Sequence, residues 1–338
     1  MQNNRIITII LVSVFSIKST YALSENKISN ISDRKLENYF KKNSKLTELT
    51  ISKDTNINLF QTLKKGTKGP LVVINGQGEQ IIKYYELFYD LINKGYGPIY
   101  SMDHRGQGRS SRELKDSKKG YIKNYQDYIN DFNKFLNTLD KENKYNLIAH
   151  SMGSAIVTKW LQQNQNQNIL KKIILVAPMY KVKTKPFPYF LAKLISSVFC
   201  LNEYLCKSYA PTKSRKNKYG NPKNSKSTTS FNRFLYSKRL SLKYQDQFIN
   251  GPTLSWTNQA FSLYQSIQQG VNIKNNIRMF IAKNDRVIST NSQIEICQNK
   301  MNNCRFASFE NSQHGILFEK DIIRNKAIDL IDSFFNKK

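Results

Sequence analysis

Short, continuous apolar runs alternate with amphipathic stretches from about residue 45 to the end of the chain. Buried strands of a parallel sheet are apolar on both faces, whereas surface helices repeat apolar residues every three or four positions. Strands are expected at 45–51, 56–63, 71–75, 98–103, 145–149, 172–177, 277–282 and 304–309, and helices at 83–94, 124–139, 154–163, 259–269, 291–298 and 321–335. The alternation predicts an α/β fold with a mostly parallel central sheet, helices on both faces and an antiparallel hairpin at its start.

The first 44 residues depart from this alternation. A basic residue, an apolar run at 6–17 and small residues ending at Ala22 have the order of a signal peptide, which is expected to span 1–22. The run is too short for an ordinary membrane span, and an uncleaved anchor is the alternative. Residues 23–44 are polar and are expected to form a loose lead-in segment with one short helix around 33–42.

The segment 181–250, called the cap, interrupts a core that is expected at 45–180 and 251–338. Its first part has apolar residues on one helical face, at positions 187, 190, 191, 194, 195 and 198. This face can lie over the active site as an apolar mouth or pack on the core, because periodicity does not separate the two. The second part, 213–239, is basic and predicts either a solvated loop or a landing patch for anionic lipid.

The chain is strongly basic, with a formal charge of +29. Such a charge attracts anionic surfaces, such as phospholipid headgroups. Lysine is abundant everywhere, but its clustering is local, since the cap has fifteen Lys or Arg against two acids and a balance of +13. A hydrophobic fraction of 39% is enough for a folded core and excludes a disordered protein.

The four cysteines lie in two local pairs, Cys200 with Cys206 and Cys297 with Cys304. In an exported protein an even number permits disulfides, with three connectivities, and free buried thiols are the alternative. Neither pair has Cys-x-x-Cys spacing or a histidine nearby, so a zinc site is not expected.

The stretch AHSMG at 149–153 is the most informative motif of the chain. It lies between a predicted strand and a predicted helix, and small residues two positions before and after Ser151 let strand and helix approach closely. This is the context of a nucleophile elbow, where the serine hydroxyl leaves the sheet edge and the N–H of Met152 points at a developing oxyanion. Ala149 in place of glycine weakens the motif only mildly, because it adds one methyl group.

Two later residues complete a triad in the order serine, acid, histidine that is typical of α/β hydrolases. Asp285 follows one predicted strand and His314 follows the next, so both are expected at the carboxyl edge of the sheet. A neutral imidazole takes the serine proton, and a carboxylate fixes its tautomer. A simple turn aspartate is the alternative for Asp285, and His104 and His150 are expected to be packed or hydrogen-bonded.

A second oxyanion donor is expected in the glycine-rich turn after the strand at 71–75. Gly76 lets the backbone approach a substrate, so the N–H of Gln77 is the candidate. A lone Gly-x-Gly is a weak signal and is more often a simple turn. Because no Gly-x-Gly-x-x-Gly occurs here, a dinucleotide site is not expected.

Five motifs resemble those of the bacterial lysophospholipases of the PldB type, which are α/β hydrolases close to the monoacylglycerol lipases and to the serine aminopeptidase S33-like group. They are DHRGQGRS at 103–110, AHSMG at 149–153, APM at 177–179, GPTLSW at 251–256 and HGILFEKD at 314–321. The chain departs from the family at Gly315, where an acidic residue is usual, and in its unusually basic cap. The first departure leaves the triad intact, and the second bears on the substrate.

Together with the predicted signal peptide, the resemblance implies an exported serine hydrolase that cleaves the fatty-acyl ester of lysophospholipids without a metal or an organic cofactor. The implied site residues are the nucleophile Ser151, the acid Asp285, the base His314 and the oxyanion-hole N–H groups of Gln77 and Met152. A monoacylglycerol lipase or general carboxylesterase is the alternative enzyme, and a membrane-binding protein on a hydrolase scaffold is the alternative without catalysis. The expected partners are a lysophospholipid or monoacylglycerol and an anionic membrane bound by the basic cap, but not nucleic acid. The expected location is the periplasm or outside the cell, peripheral to a membrane.

Overall fold

The structure, a computed structural model, describes residues 22–30, 33–211 and 222–337. The predicted signal peptide lies outside these ranges except for Ala22, as does the basic run at 213–218. The strands are β1 Ser44–Ser52, β2 Thr55–Thr62, β3 Leu71–Ile74, β4 Ile99–Met102, β5 Lys119–Gly120, β6 Tyr145–His150, β7 Leu170–Val176, β8 Gly251–Pro252, β9 Ile273–Ala282 and β10 Met301–Phe309. The helices are α1 Glu25–Asn30, α2 Asp33–Asn43, α3 Tyr85–Asn93, α4 Tyr125–Asn137, α5 Met152–Gln163, α6 Tyr189–Phe199, α7 Glu203–Cys206, α8 Phe231–Lys243, α9 Leu254–Gln269, α10 Thr290–Lys300 and α11 Asp321–Asn336.

The main sheet of the described residues has eight strands in the order β1-β2-β4-β3-β6-β7-β9-β10. β2 is antiparallel to β1 and β4, and the other neighbours in this sheet are parallel. Every residue of the central strands β3 and β6 is buried, which explains the continuous apolar runs at 71–74 and 147–149. The prediction of an α/β fold with a mostly parallel sheet is confirmed.

Helices cover both faces of the sheet and bury two apolar cores. On one face, α4, α5 and α9 pack around the fully buried Trp160, whose ring meets that of Phe132 edge-on at 5.5 Å. On the other face, α3 and α11 pack against the sheet, with Phe88 fully buried. Asn124 starts α4 where its sequence predicts, because its side chain accepts the backbone N–H of Gln126 at 2.9 Å.

The lead-in segment packs on the core. α2 lies close to the predicted short helix, and α1 precedes it. Ile28 and Phe40 are fully buried in the second core, and the backbone N–H of Leu23 donates to the carboxylate of Asp90 at 2.9 Å. Two packed helices therefore replace the loose segment that the polar composition suggests.

The two halves of the cap differ in how they are held. In the second half, Arg233 of α8 is buried, and its guanidinium binds the carboxylate of Glu86 at 2.8 Å. In the first half, the apolar face of α6 turns outward, with Phe190, Leu194 and Val198 exposed by 72%, 57% and 53%. The alternative that this face packs on the core is wrong at these three positions.

Two disulfides close short loops, Cys200–Cys206 in the cap and Cys297–Cys304 between α10 and β10. Of the three connectivities that the sequence leaves open, the structure has the one that pairs nearest neighbours. Over the described ranges, no helix combines the length and the apolarity needed to cross a bilayer.

Candidate active site

β6 ends in a sharp turn that carries Ser151. This residue has φ 51° and ψ −116°, a strained conformation for a residue with a side chain, and α5 begins directly after it. Gly153 shows why small residues are needed, because a Cβ there would lie 2.5 Å from the backbone oxygen of Asn75. The AHSMG motif thus forms the strand, turn and helix that its sequence predicts, with Ala149 fully buried.

Ser151, His314 and Asp285 meet at the carboxyl edge of the sheet. Oγ of Ser151 lies 2.8 Å from Nε2 of His314, and Nδ1 of the same ring lies 2.6 Å from Oδ2 of Asp285. The three residues follow β6, β9 and β10, and each is at most 8% exposed. The imidazole therefore bridges a hydroxyl and a carboxylate, which is the arrangement that general-base activation of a serine needs.

The carboxylate of Asp285 is held at both oxygens. Oδ1 accepts the backbone N–H groups of Val287 and Ile288 at 2.7 and 2.8 Å, which leaves Oδ2 for His314. Burial alone would raise the pKa of Asp285, but the His314 imidazole and the two N–H donors lower it below its usual value. An ionised carboxylate favours the imidazole proton on Nδ1, so Nε2 is free to accept a proton from Ser151.

The loop at 75–79, called the oxyanion loop, follows β3 and passes beside Ser151. A Cβ on Gly76 would lie 3.1 Å from Cβ of Ser151, so a side chain here would crowd the nucleophile. No described residue accepts a hydrogen bond from the N–H of Gln77, and the N–H of Met152, at the first position of α5, has no partner within that helix. Neither predicted donor is therefore committed to another hydrogen bond among the described residues, so both stay candidates for an oxyanion site.

Gln107, from the DHRGQGRS motif, fixes the oxyanion loop. Its buried amide donates from Nε2 to the backbone oxygens of Gly76 and Glu79 at 2.8 and 2.7 Å and accepts the N–H of Gly78 at 2.9 Å. The C=O and N–H of a trans peptide point in opposite directions, so the bond to Gly76 also sets the direction of the Gln77 N–H. The motif is visible in the sequence, whereas this contact depends on the fold.

A buried pair of Glu79 and His150, which the sequence analysis missed, supports the same loop. Oε2 of Glu79 accepts the N–H of Gly76 at 2.8 Å and lies 2.8 Å from Nδ1 of His150. Burial would raise the pKa of Glu79, but His150 and Lys83 hold it well below its usual value. Nε2 of His150 lies 3.3 Å from the backbone oxygen of His314, so the pair connects the oxyanion loop to the triad histidine.

His104 and His150 are both hydrogen-bonded in the interior, as expected. Nε2 of His104 lies 3.0 Å from the backbone oxygen of Asn75, and burial lowers the pKa of His104 to about 4, so this ring is neutral at neutral pH. In the part of the chain that the structure describes, no three His, Cys, Asp or Glu side chains are grouped to hold a metal ion.

The second half of the cap contacts the loop that carries His314. The backbone N–H of Gly315 donates to the oxygen of Ser227 at 2.7 Å, and a Cβ on Gly315 would lie 2.7 Å from that oxygen. This close approach explains why glycine stands where an acidic residue is usual. The fully buried Glu319 adds a second connection, because its carboxylate accepts the backbone N–H of Thr229 at 2.9 Å.

Comparisons with known proteins identify the family of the chain. The family model for serine aminopeptidase, S33, matches residues 65–321. Lysophospholipase L2 of Escherichia coli strain K12 is 28% identical over 279 residues, which cover 79% of this chain and 80% of that protein. The probable lysophospholipase L2 of Haemophilus influenzae is 25% identical over 271 residues, which cover 79% and 83%.

The fold agrees with this assignment. A soluble variant of monoglyceride lipase from Saccharomyces cerevisiae, solved with a substrate analog, has a TM-score of 0.66 at 14% identity, and the match covers 87% of this chain and 96% of that one. The range 65–321 of the family model includes the oxyanion loop, the elbow and the residues bridged by His314. The chain therefore belongs to the serine aminopeptidase S33 family and is, as its motifs predicted, a serine hydrolase with the α/β-hydrolase fold.

Proposed function

We propose that the protein is an exported lysophospholipase that releases the fatty acid of lysophospholipids through an acyl-enzyme. Its class, a serine carboxylic-ester hydrolase, follows from the family and the relatives. The observation that carries the proposal is the bridge from the Ser151 hydroxyl through His314 to the carboxylate of Asp285, with contacts of 2.8 and 2.6 Å.

In the proposed reaction, Nε2 of His314 takes the proton of the Ser151 hydroxyl while the serine oxygen attacks the acyl carbonyl carbon. The N–H groups of Gln77 and Met152 donate to the resulting oxyanion. His314 then protonates the glycerol oxygen of the leaving group, and the acyl chain remains on Ser151. A water molecule that gives its proton to His314 attacks the acyl-enzyme, releases the fatty acid and restores the serine.

Charge and relatives favour a lysophospholipid as the substrate. Two relatives carry the name lysophospholipase L2. The +13 balance of the cap attracts a phosphate-bearing substrate more strongly than a neutral glyceride. Because the triad acts in the same way on any acyl ester, a substrate series distinguishes a lysophospholipid from a monoacylglycerol.

Ser151→Ala tests the reaction, and a substrate series tests its specificity. The series contains lysophosphatidylethanolamine, a monoacylglycerol, a p-nitrophenyl ester and an amino-acid p-nitroanilide, which reports the peptidase activity in the family description. We expect the fastest turnover with lysophosphatidylethanolamine, and a loss of about 10⁴-fold or more in Ser151→Ala at an unchanged unfolding temperature. Full activity of Ser151→Ala contradicts the mechanism, and faster turnover of the monoacylglycerol or the anilide contradicts the substrate.

We further propose that the cap attaches the enzyme to an anionic membrane. The outer face of α6 and the disulfide-closed loop after it carry strongly exposed apolar side chains, which we call the apolar ridge. The ridge consists of Phe190, Leu194, Val198, Leu201 and Tyr204, which are between 53% and 87% exposed. Soluble proteins rarely expose so much neighbouring apolar surface unless it has a partner.

Basic residues accompany the apolar ridge along the chain. Those within the described ranges include Lys181, Lys183, Lys185, Lys193 and Lys207, and the run at 213–218 adds four more. Apolar side chains that enter the acyl region, flanked by lysines that meet the headgroups, are the usual composition of an interfacial membrane contact.

Vesicle binding tests this attachment. Leu194→Ser combined with Leu201→Ser should weaken sedimentation with phosphatidylglycerol vesicles by about 10-fold or more, because two apolar side chains no longer leave water. Ile322→Ser is the matched control, since Ile322 is 82% exposed on α11, outside the cap. Neutralising the basic run should raise KM on anionic vesicles and weaken its salt dependence. The residues to be neutralised are Lys213, Arg215, Lys216 and Lys218. Equal binding by all variants contradicts the attachment.

Export is supported by the order of residues at the start of the chain and by the two disulfides, which persist in oxidising compartments. Cell fractionation should recover the protein from the periplasm or the medium with both disulfides formed. A reduced protein that keeps Met1 and stays in the cytoplasm contradicts export.

A further inference from the structure

Leu23, the first residue after the predicted signal peptide, is held in the interior at three points. Its backbone N–H donates to Oδ1 of Asp90 at 2.9 Å, and its backbone oxygen accepts a hydrogen bond from Nη2 of Arg233 at 3.0 Å. Its side chain packs into the second apolar core and is 9% exposed. Leu23 is therefore a buried and hydrogen-bonded residue of the folded protein.

The contacts of Leu23 belong to a buried charge cluster with two arginines and three carboxylates. Arg324 binds Asp90 at 2.7 Å, and Arg233 binds Glu86 and Asp321, each at 2.8 Å. Arg324, Asp90, Arg233 and Glu86 are each at most 2% exposed. Burial raises the pKa of Asp90, against the attraction of Arg324. With these five groups ionised the formal charge is −1, and Glu25 on α1, whose carboxylate accepts the backbone N–H of Asp321 at 3.4 Å, makes it −2, so the cluster lacks a balancing positive charge.

We propose that Leu23 is the mature N-terminus and that its α-ammonium group supplies this cation to Asp90. A signal peptidase would hydrolyse the peptide bond between Ala22 and Leu23 with one water molecule. Ala22 leaves as a carboxylate, and Leu23 keeps an amine that is protonated at neutral pH. The ammonium then stands where the amide N–H stood, and the excess negative charge of the cluster falls by one. This inference rests on the export part of the proposed function and not on its ester chemistry.

Removal of the signal peptide would then stabilise the fold. A hydrogen bond from a charged donor to a buried carboxylate is stronger than one from a neutral amide, so the folding equilibrium constant should rise by about 10-fold. The ion pair with Asp90 needs a protonated amine, so the added stability is present near neutral pH and is lost as the pH rises and the amine deprotonates.

The charged groups that face the amine come from four elements. They are Glu25 on α1, Glu86 and Asp90 on α3, Arg233 on α8, and Asp321 and Arg324 on α11. Asp90 is the carboxylate in direct contact with the amine, and burial raises its pKa above the usual value. Because these charged groups are the same in the free and acetylated proteins, a difference between the two proteins reports the amine.

The test compares two proteins of identical sequence that begin at Leu23, one with a free amine and one with an acetylated amine. Urea unfolding between about pH 6 and about pH 10 should give the free amine an equilibrium constant about 10-fold larger near neutral pH, with the difference closing as the pH rises. Asp90→Asn should abolish the difference. Asp321→Asn is the matched control, since it also removes one carboxylate from the cluster, and it should keep most of the difference, because Asp321 accepts the N–H of Glu25 and not that of Leu23. If Asp90→Asn does not fold, the inference is tested by the unmutated chain alone, through the pH dependence of the stability difference between its free and acetylated forms.

Sequencing of the exported protein gives a second readout, with Leu23 expected as its first residue. Another first residue, or a difference between amine and acetyl forms that is absent or independent of pH, overturns the inference and leaves the hydrolase proposal intact. Loss of ester hydrolysis with the stability difference preserved would contradict the proposed reaction and leave this inference intact.

Discussion

Asp285→Asn tests how the site sets the tautomer of His314. Oδ1 of Asp285 accepts two backbone N–H groups, those of Val287 and Ile288. In the variant the amide oxygen must take this place, because an NH₂ group there would face two donors. The NH₂ group then points at Nδ1 of His314, which must accept its hydrogen bond. The ring proton moves to Nε2, so the ring offers Ser151 a donor where a base is needed.

The size of the effect follows from the bonds involved. Turning the amide over would lose two hydrogen bonds of about 1 kcal/mol each and bring donors together, so roughly 3 kcal/mol, or about 100-fold, holds the wrong tautomer in place. The imidazolium that forms during the reaction also loses its carboxylate partner. Together these effects should lower kcat by about 10⁴-fold.

Steady-state kinetics with a soluble ester and thermal unfolding check this prediction, with Asp285→Ala for comparison. Alanine leaves Nδ1 of His314 open to water and imposes no tautomer, so the asparagine variant should be the less active of the two although it is closer in shape. An asparagine variant within about 10-fold of the unmutated enzyme, or more active than the alanine variant, would refute the orienting role of Val287 and Ile288.

Gln107→Glu places a carboxylate oxygen against two backbone oxygens of the oxyanion loop and should lower kcat by about 10- to 100-fold at a similar KM. Gln162→Glu, which removes a similar pair of amide-to-backbone bonds at the end of α5, is the control, and an equal loss of kcat there would count against a specific role of Gln107. Arg233→Met removes the nearest cation of the buried Glu86 and should lower the free energy of unfolding in urea by about 3–5 kcal/mol, whereas a loss below about 1 kcal/mol would contradict the anchoring of the cap. The lowered pKa of Glu79 stabilises the fold above the ordinary value of 4.5, and this contribution disappears as the pH falls through the folded value. Glu79→Gln should therefore flatten the loss of stability below about pH 4.5, and an unchanged slope would show that Glu79 does not contribute.

The sequence predicts the location of those site residues that directly follow a strand of the parallel sheet. The predicted strands before Asp285 and His314 are enough to expect both residues near Ser151, because parallel strands end at the same edge of a sheet. Contacts between segments far apart in sequence gave no such signal. Gln107 is 31 residues from its hydrogen-bond partner Gly76 in the sequence, and Leu23 is 210 residues from Arg233.

The apolar face of α6 shows a different limit of sequence reasoning. Its spacing of apolar positions predicts a helix with one apolar side, and the structure has that helix. Spacing does not say what covers the side, because a core, a membrane and a substrate all favour the same residues. The spacing of apolar positions therefore does not determine whether Leu194 and its neighbours are buried or exposed, and the fold shows them exposed.

The pairing of Ser227 with Gly315 bears on how new specificities could be engineered. Lys226 and Ser227 provide the backbone oxygens that accept the N–H groups of His314 and Gly315. A graft that replaces α6 and the disulfide loop and rejoins the native chain before Lys226 keeps these acceptors. A graft that continues beyond Lys226 also replaces the residues whose backbone oxygens hold the loop of His314, the general base. Combinatorial libraries for new headgroup or chain-length preferences are therefore best confined to the stretch upstream of this junction.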